Sequence, residues 1–157
     1  QSGGQGDFPD VRTNLQKLFK DGLLLLNYTG HGNTTSLSDE QIVAIADITQ
    51  ASYTRLPVWV TSTCDFTRFD DVATSAGEEV FLNAKSGGIA LFTTVRVAWR
   101  PYNAYIDSHL LHNLCVILLR NSLYKGRKTY LDSLLRVFYS LHSRIAKNSL
   151  LIHSLRI

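Results

Sequence analysis

Residues 23–28 read Leu23-Leu24-Leu25-Leu26-Asn27-Tyr28, a nearly continuous apolar run that lies between Gly22 and Gly30. A run of this length without polar alternation is typical of a strand that is covered on both faces, as in a parallel sheet. We therefore predict a buried strand here. It ends at a turn, Thr29-Gly30-His31-Gly32-Asn33.

Two further strands are predicted along the chain. Residues 57–63 are mostly β-branched or aromatic, with proline only at the first position, and they lead directly to Cys64. Residues 89–94 form another apolar segment after Gly87-Gly88. We interpret these segments as a second and a third buried strand.

Helical patterns separate the strands. A helix is predicted over residues 11–20, after Asp10 and before Gly22. Two capping-box patterns predict the others: Ser38 with Gln41 for a helix to about residue 48, and Ser75 with Glu78 for a helix over 76–84. Alternating strands and helices with short connections favour right-handed crossovers, so we predict an α/β fold with a parallel sheet flanked by helices.

Charge and pattern divide the chain into two parts. Residues 1–107 hold twelve acidic and eight basic side chains, whereas residues 108–157 hold one acidic and eight basic ones. We predict an α/β Cys/His core over 1–107 and a basic, mostly helical extension over 108–157, with helices at 103–120 and 129–157. The extension is interpreted as a solvated face; the alternatives are a surface that binds nucleic acid or an anionic membrane, and a segment that is out of frame or disordered. Because no aromatic-basic motif accompanies it, no nucleic-acid partner is expected.

The ends and the cysteines of the chain carry weaker information. The chain begins at Gln1 and contains no methionine, so we expect it to be a piece of a longer protein. It lacks an apolar run of about 18 residues, so we expect this piece to be soluble. The spacing of Cys64 and Cys115 indicates neither a disulfide nor a metal site.

His31 and Cys64 each follow the end of a predicted strand. In an open α/β sheet, ligands bind outside the carboxyl ends of the strands, where the loops converge. If the two strands are neighbours, the imidazole and the thiol face one crevice. A histidine beside a cysteine can take the thiol proton during attack, which makes a nucleophile and a base.

The main-chain N–H groups of Gly32 and Cys64 are candidate donors to the oxyanion that forms in such a reaction. The glycines beside His31 would let the backbone pass close to a substrate. Taken singly, a Gly-His-Gly turn is commonly a tight turn, and a cysteine after a buried strand is commonly an inert apolar residue. The alternative to an enzyme is therefore a noncatalytic scaffold or interaction domain.

Several segments resemble the gingipain-type cysteine peptidases, family C25 of clan CD. The segments are Asn27-Tyr28-Thr29-Gly30-His31-Gly32, Thr61-Ser62-Thr63-Cys64-Asp65-Phe66, Thr74-Ser75-Ala76-Gly77-Glu78-Glu79-Val80-Phe81-Leu82-Asn83 and Gly87-Gly88-Ile89-Ala90-Leu91-Phe92-Thr93-Thr94. The similarity covers about residues 8–110 and is greatest with the branch that contains the sortase of the type IX secretion system.

The resemblance implies a fragment of a caspase-like catalytic domain with a Cys64/His31 dyad. It implies peptide substrates, namely the C-terminal sorting domains of secreted cargo, which the sortase removes before it joins the cargo to anionic lipopolysaccharide. It further implies a place on the outer membrane of a Bacteroidetes-like bacterium, beside other type IX components. Trp99 falls where gingipains have a pocket-wall tryptophan; the alternative is a packing aromatic.

The chain departs from the family pattern in two places. No acidic residue before Tyr28 matches the one that orients the histidine in gingipains. After about His112 the similarity fades into the basic segment, for which divergence and a frameshift are the two explanations. No cofactor is expected. A structural Ca²⁺ held by Asp65, Asp70 and Asp71 is the alternative to a solvated acidic loop.

Overall fold

The computed structural model describes residues 9–124 and 151–156, which fall into two compact units, residues 9–99 with 151–156 and residues 100–124. The elements of the first unit are α1 (Pro9–Asp21), β1 (Leu23–Thr29), β2 (Ser36–Leu37), β3 (Val43–Ala44), α2 (Ile45–Thr49), β4 (Val58–Ser62), α3 (Ala76–Leu82), β5 (Ala90–Phe92) and β6 (Leu151–Arg156). The second unit is the helix α4 (Arg100–Tyr124).

The main sheet has four strands in the order β5-β4-β1-β6. Strands β5, β4 and β1 are parallel, and β6 runs antiparallel along the other side of β1. Five consecutive residues of β1, Leu25 to Thr29, pair with Val58 to Ser62 of β4. The predicted α/β fold with a parallel sheet flanked by helices is confirmed.

Strand β1 is buried on both faces, as its apolar run predicts, because adjacent residues such as Leu25 and Leu26 are both covered. Against this sheet packs Phe19 of α1, whose ring stacks on Trp59 with centroids 5.3 Å apart and on Tyr53 at 5.2 Å. Burying a large apolar side chain contributes about 1.5–3 kcal/mol. Packing of this face therefore stabilises α1 more than its intrinsic helix propensity does.

The helix predicted from Ser38 and Gln41 is wrong over most of its length. Both residues have positive φ, 62° and 52°, and lie in the turn of a small antiparallel hairpin made by β2 and β3. The turn forms because the Ser38 N–H donates to the His31 carbonyl at 2.8 Å. The capping-box pattern of Ser38 and Gln41 does not include this hydrogen bond. Helix α2 begins only at Ile45.

Helix α3 forms where it is predicted, with its capping box. The Ser75 N–H and hydroxyl both donate to the Glu78 carboxylate, at 2.8 and 2.7 Å. The strand predicted over 89–94 is shorter, Ala90–Phe92, and is not fully buried, since Ile89 is 69% and Phe92 48% exposed. Among the described residues, β5 is an edge strand with no partner on its outer side.

The helix predicted over 103–120 is confirmed as part of α4. Of the helix predicted over 129–157, residues 129–150 and 157 lie outside the described residues, and residues 151–156 form β6 instead. The boundary at residues 107 and 108 stays a prediction. Within the described ranges, no helix combines the length and the apolarity that a membrane crossing requires.

Candidate functional site

His31 and Cys64 lie on neighbouring loops at one edge of the sheet. The last pair in the register of β1 and β4 joins Thr29 to Ser62, and each candidate residue is two positions beyond it. Because the strands are parallel and adjacent, both loops leave the sheet at the same edge. A hydrogen bond of 3.3 Å from the Gly30 N–H to the Ser62 carbonyl continues the pairing past the strand ends.

The two loops also touch through Gly32 and Thr63. A Cβ atom at Gly32 would lie 2.1 Å from the Thr63 hydroxyl, and one at Gly30 would lie 2.5 Å from the Tyr28 hydroxyl. Both distances are below any real contact. The glycines beside His31 are therefore required by close packing within the protein, a reason that differs from the substrate approach expected from the sequence.

The main chain at His31 is held by two donors. Its carbonyl accepts a 2.6 Å hydrogen bond from the Tyr28 hydroxyl and a 2.8 Å one from the Ser38 N–H. Burial, together with the charges of Glu40 and Asp39, raises the pKa of Tyr28 well above its ordinary value, so the hydroxyl stays a donor. The imidazole itself is exposed.

The N–H of Gly32 does not take part in the pairing of its loop. Gly32 faces Leu37 in an antiparallel bridge. The two bonds of this bridge run from Ser38 to His31 and from Asn33 to Ser36. This is the non-hydrogen-bonded kind of pair, in which the N–H of the central residue points away from its partner. Among the described residues, the N–H groups of Gly32 and Cys64 both lack a protein acceptor.

Cys64 lies in a sharp turn. The next residue, Asp65, has a φ of 51°, in the left-handed region. The thiol is half-buried, and its sulfur lies 3.8 Å from the Ala98 carbonyl oxygen. Such a contact is a weak hydrogen bond that orients the side chain without engaging it strongly.

Residues 94–98, here called the strap, follow β5 and run along the Cys64 turn. The Thr94 hydroxyl donates to the Thr63 carbonyl at 2.6 Å. The Asp65 N–H donates to the Arg96 carbonyl at 3.4 Å. The Thr94 hydroxyl and the carbonyl oxygens of Arg96 and Ala98 thus contact the turn, whereas the side chains of Val95, Arg96 and Val97 are exposed. The sequence analysis did not identify the strap, because its contacts with the Cys64 turn join residues about 30 positions apart in the chain.

Trp99 directly follows the strap and is 79% exposed. Its ring follows by one residue the Ala98 carbonyl that contacts the Cys64 thiol. The pocket-wall role and its alternative, a packing aromatic, both stay predictions.

The acidic residues after Cys64 are engaged by arginines. Two nitrogens of Arg96 bind the two carboxylate oxygens of Asp70, one of them at 3.0 Å. The hydrogen bond from Arg96 lowers the pKa of Asp70. Arg68 lies 3.9 Å from Asp71. In the part of the chain that the structure describes, no three His, Cys, Asp or Glu side chains come together as a metal site requires.

The structure thus brings the loops of His31, Gly32 and Cys64 together and places Trp99 at the end of the strap. Among residues 9–124 and 151–156, no carboxylate is hydrogen-bonded to the His31 imidazole, so the third partner expected from the resemblance has no candidate there.

Comparison with known proteins gives one match. The sequence model of Peptidase family C25 matches residues 1–133, further along the chain than the segments whose similarity is visible by eye. Searches among curated proteins and among solved structures found no match.

Proposed function

The chain belongs to peptidase family C25, and from this premise we propose that it cleaves peptide bonds with Cys64 as the nucleophile and His31 as the general base. One observation carries the proposal. His31 and Cys64 each lie two residues beyond the last paired residues of β1 and β4, which are adjacent parallel strands. Their loops touch at Gly32 and Thr63.

The reaction has two halves. His31 takes the thiol proton as the Cys64 sulfur attacks the peptide carbonyl carbon, and the carbonyl oxygen becomes an oxyanion. The tetrahedral intermediate then collapses: the C–N bond breaks, the imidazolium gives its proton to the leaving amine, and a thioester remains. Water or a second amine, deprotonated by His31, attacks the thioester and restores the thiol.

The N–H groups of Gly32 and Cys64 stabilise the oxyanion in this proposal. Neither has a protein acceptor among the described residues, so neither must break a bond to receive the oxyanion. One donor of this kind is worth about 3–4 kcal/mol of transition-state stabilisation. Tyr28 and Ser38 support the site by holding the main chain at His31.

Substrate side chains are recognised along the strap. Val95, Val97 and Trp99 project on its outer side, and Trp99 is the proposed wall of the substrate pocket. An exposed row of apolar side chains beside a nucleophile favours substrates with apolar groups close to the scissile bond.

The specific substrates that we propose are C-terminal sorting domains of proteins secreted by the type IX system. The support is the resemblance of residues 74–83 and 87–94 to the sortase branch of the family. In this setting the protein acts at the outer membrane among other type IX components. An amine on anionic lipopolysaccharide resolves the thioester, which makes the reaction a transpeptidation.

Covalent labelling tests the dyad. A peptidyl acyloxymethyl ketone, which reacts with activated thiols, should label Cys64, as shown by peptide mapping. Labelling should vanish in Cys64→Ala. In His31→Ala it should fall by about 10²–10⁴-fold, the usual contribution of a general base. Cys115→Ser is the matched control and should label normally. Label on Cys115, or label that persists in Cys64→Ala, would refute the assignment and favour a noncatalytic scaffold.

The sorting role needs a test of its own. In cells whose own protein carries Cys64→Ala, a secreted cargo should keep its C-terminal sorting domain, as measured by mass spectrometry of the cargo. Cargo of normal mass in these cells contradicts the sorting role but leaves the peptidase proposal intact.

A further inference from the structure

The ion pair between Arg96 and Asp70 joins two segments that both flank Cys64. Arg96 is the central residue of the strap, and Asp70 belongs to the loop that follows the nucleophile turn. The two residues are 26 positions apart in the chain. This pair is therefore a tertiary contact between two distant segments, whereas the nearby pair of Arg68 and Asp71 joins residues three positions apart in one loop.

The geometry of the pair is of the favourable kind. Two guanidinium nitrogens bind two carboxylate oxygens, which is the bidentate arrangement. Isolated exposed ion pairs contribute little to stability, but bidentate pairs are the exception. The pair is also reinforced on both sides, since Arg96 and Thr94 each accept a main-chain N–H from the turn, from Asp65 at 3.4 Å and from Thr67 at 3.2 Å.

The strap in turn contacts the nucleophile. Its last residue supplies the carbonyl oxygen that lies 3.8 Å from the Cys64 sulfur. If the strap moves away from the turn, the thiol loses this contact and part of its cover. The contacts that hold the strap in place therefore also determine the position and the solvent accessibility of the Cys64 thiol.

We propose that Arg96 and Asp70 form a latch that holds the strap against the Cys64 turn and thereby positions the nucleophile. The two are positioning residues, since they act through the strap and need not touch the substrate. The inference deepens the proposed function, but its first readout is the accessibility of the thiol and does not depend on catalysis.

Charge reversal tests the latch. Arg96→Glu and Asp70→Arg should each raise the rate at which iodoacetamide alkylates Cys64, by about two- to fivefold, the range expected when an exposed ion pair is lost. The double variant Arg96→Glu with Asp70→Arg restores a pair of opposite charges and should return the rate towards that of the unchanged protein. Peptide mapping separates Cys64 from Cys115.

The matched control is Arg68→Glu, which makes the same change of charge as Arg96→Glu but in the loop that contains Asp70. Its side chain is 45% exposed, against 53% for Arg96. The control should leave the alkylation rate unchanged. Equal rates in Arg96→Glu and Arg68→Glu, or a double variant that shows no recovery, would overturn the latch.

Salt gives a second measurement that needs no charge reversal and serves if a variant fails to fold. Raising NaCl from about 0.01 M to about 1 M shortens the Debye length from roughly 30 Å to 3 Å. Alkylation of Cys64 should accelerate with salt in the unchanged protein and respond less in the neutral variant Arg96→Gln. The same salt response in both would count against the latch.

Peptide cleavage separates this inference from the proposed function. If the latch positions the nucleophile, kcat/KM falls in the single variants and recovers in the double one. If the latch variants alter the alkylation rate but the unchanged protein cleaves no peptide, the proposed function is contradicted and the latch is supported. If the variants cleave peptides and are alkylated at normal rates, only the latch is contradicted.

Discussion

At the scale of single residues, the turn around His31 owes its composition to its neighbours. Gly30 is small because the Tyr28 hydroxyl lies above it, and Gly32 is small because the Thr63 side chain lies against it. Tyr28 uses the same hydroxyl to hold the His31 carbonyl. The Gly-His-Gly sequence therefore indicates close packing at the end of a strand. Its catalytic use depends on which groups this packing brings near the histidine.

The hydroxyl of Tyr28 should make stability fall at alkaline pH. Unfolded tyrosines ionise near pH 10, whereas burial raises the pKa of Tyr28 in the folded chain. The contribution of Tyr28 to the free energy of unfolding is thus complete below pH 10 and declines above it, by at most about 1.4 kcal/mol per pH unit. Tyr53, whose pKa burial also raises, adds a decline of its own. Tyr28→Phe should flatten this decline and cost about 1 kcal/mol at neutral pH through the lost hydrogen bond.

Urea unfolding at pH 7 and at several values above 10 measures both effects. The control is Tyr102→Phe, which removes an exposed hydroxyl from α4 and should keep the alkaline decline. A decline of equal slope in Tyr28→Phe and in the unchanged protein would contradict the assignment to Tyr28.

At the scale of elements, two capping-box patterns in the sequence have opposite outcomes. The box of Ser75 and Glu78 caps α3, and the Ser75 hydroxyl also accepts the Arg68 N–H at 3.1 Å. The pattern of Ser38 and Gln41 caps nothing, because both residues lie in a hairpin turn. The buried Ser38 hydroxyl has no partner among the described residues. A capping box thus predicts a helix only where tertiary contacts leave the following residues free to form one.

The two serines should respond differently to replacement. Ser75→Ala removes a cap and a buried acceptor and should lower the free energy of unfolding by about 1–2 kcal/mol. Ser38→Ala removes an unpaired buried hydroxyl and should be neutral or slightly stabilising. Chemical denaturation of both variants under one condition measures the difference. Equal losses would show that Ser38 has a structural bond that the described contacts lack.

At the scale of the whole molecule, the two tryptophans have different roles: Trp59 stabilises the fold, and Trp99 is proposed to bind substrate. Trp59 is fully buried in β4 and stacks on Phe19, whereas Trp99 is 79% exposed beyond the strap. Both are apolar aromatics in the sequence. Their places differ because one lies inside the sheet and the other follows its edge.

Replacing each tryptophan by alanine should show this difference in role. Trp59→Ala should cost about 3–5 kcal/mol, much of the total stability of an ordinary domain, and should remove the blue-shifted fluorescence. Trp99→Ala should change stability by no more than about 0.5 kcal/mol and should raise KM for peptides. Fluorescence-monitored unfolding and peptide kinetics check the two. An unchanged KM in Trp99→Ala would contradict the pocket role.

Much of the site could be predicted from local pattern. The apolar run of β1, the β-branched run of β4 and the placing of His31 and Cys64 directly after them follow from the residues themselves. The path of the strap could not be predicted. It lies beside the Cys64 turn because the Thr94 hydroxyl and the Arg96 carbonyl form hydrogen bonds with main-chain groups of that turn.

The sequence by itself determined which segments are buried strands, which residues end them, and the chemistry that a thiol and an imidazole can perform. Those properties depend on residues close together in the chain. Only the tertiary structure decided that β1 and β4 are neighbours, that Ser38 belongs to a hairpin, and that Arg96 binds Asp70. These depend on hydrogen bonds between distant residues, whose partners no local pattern specifies.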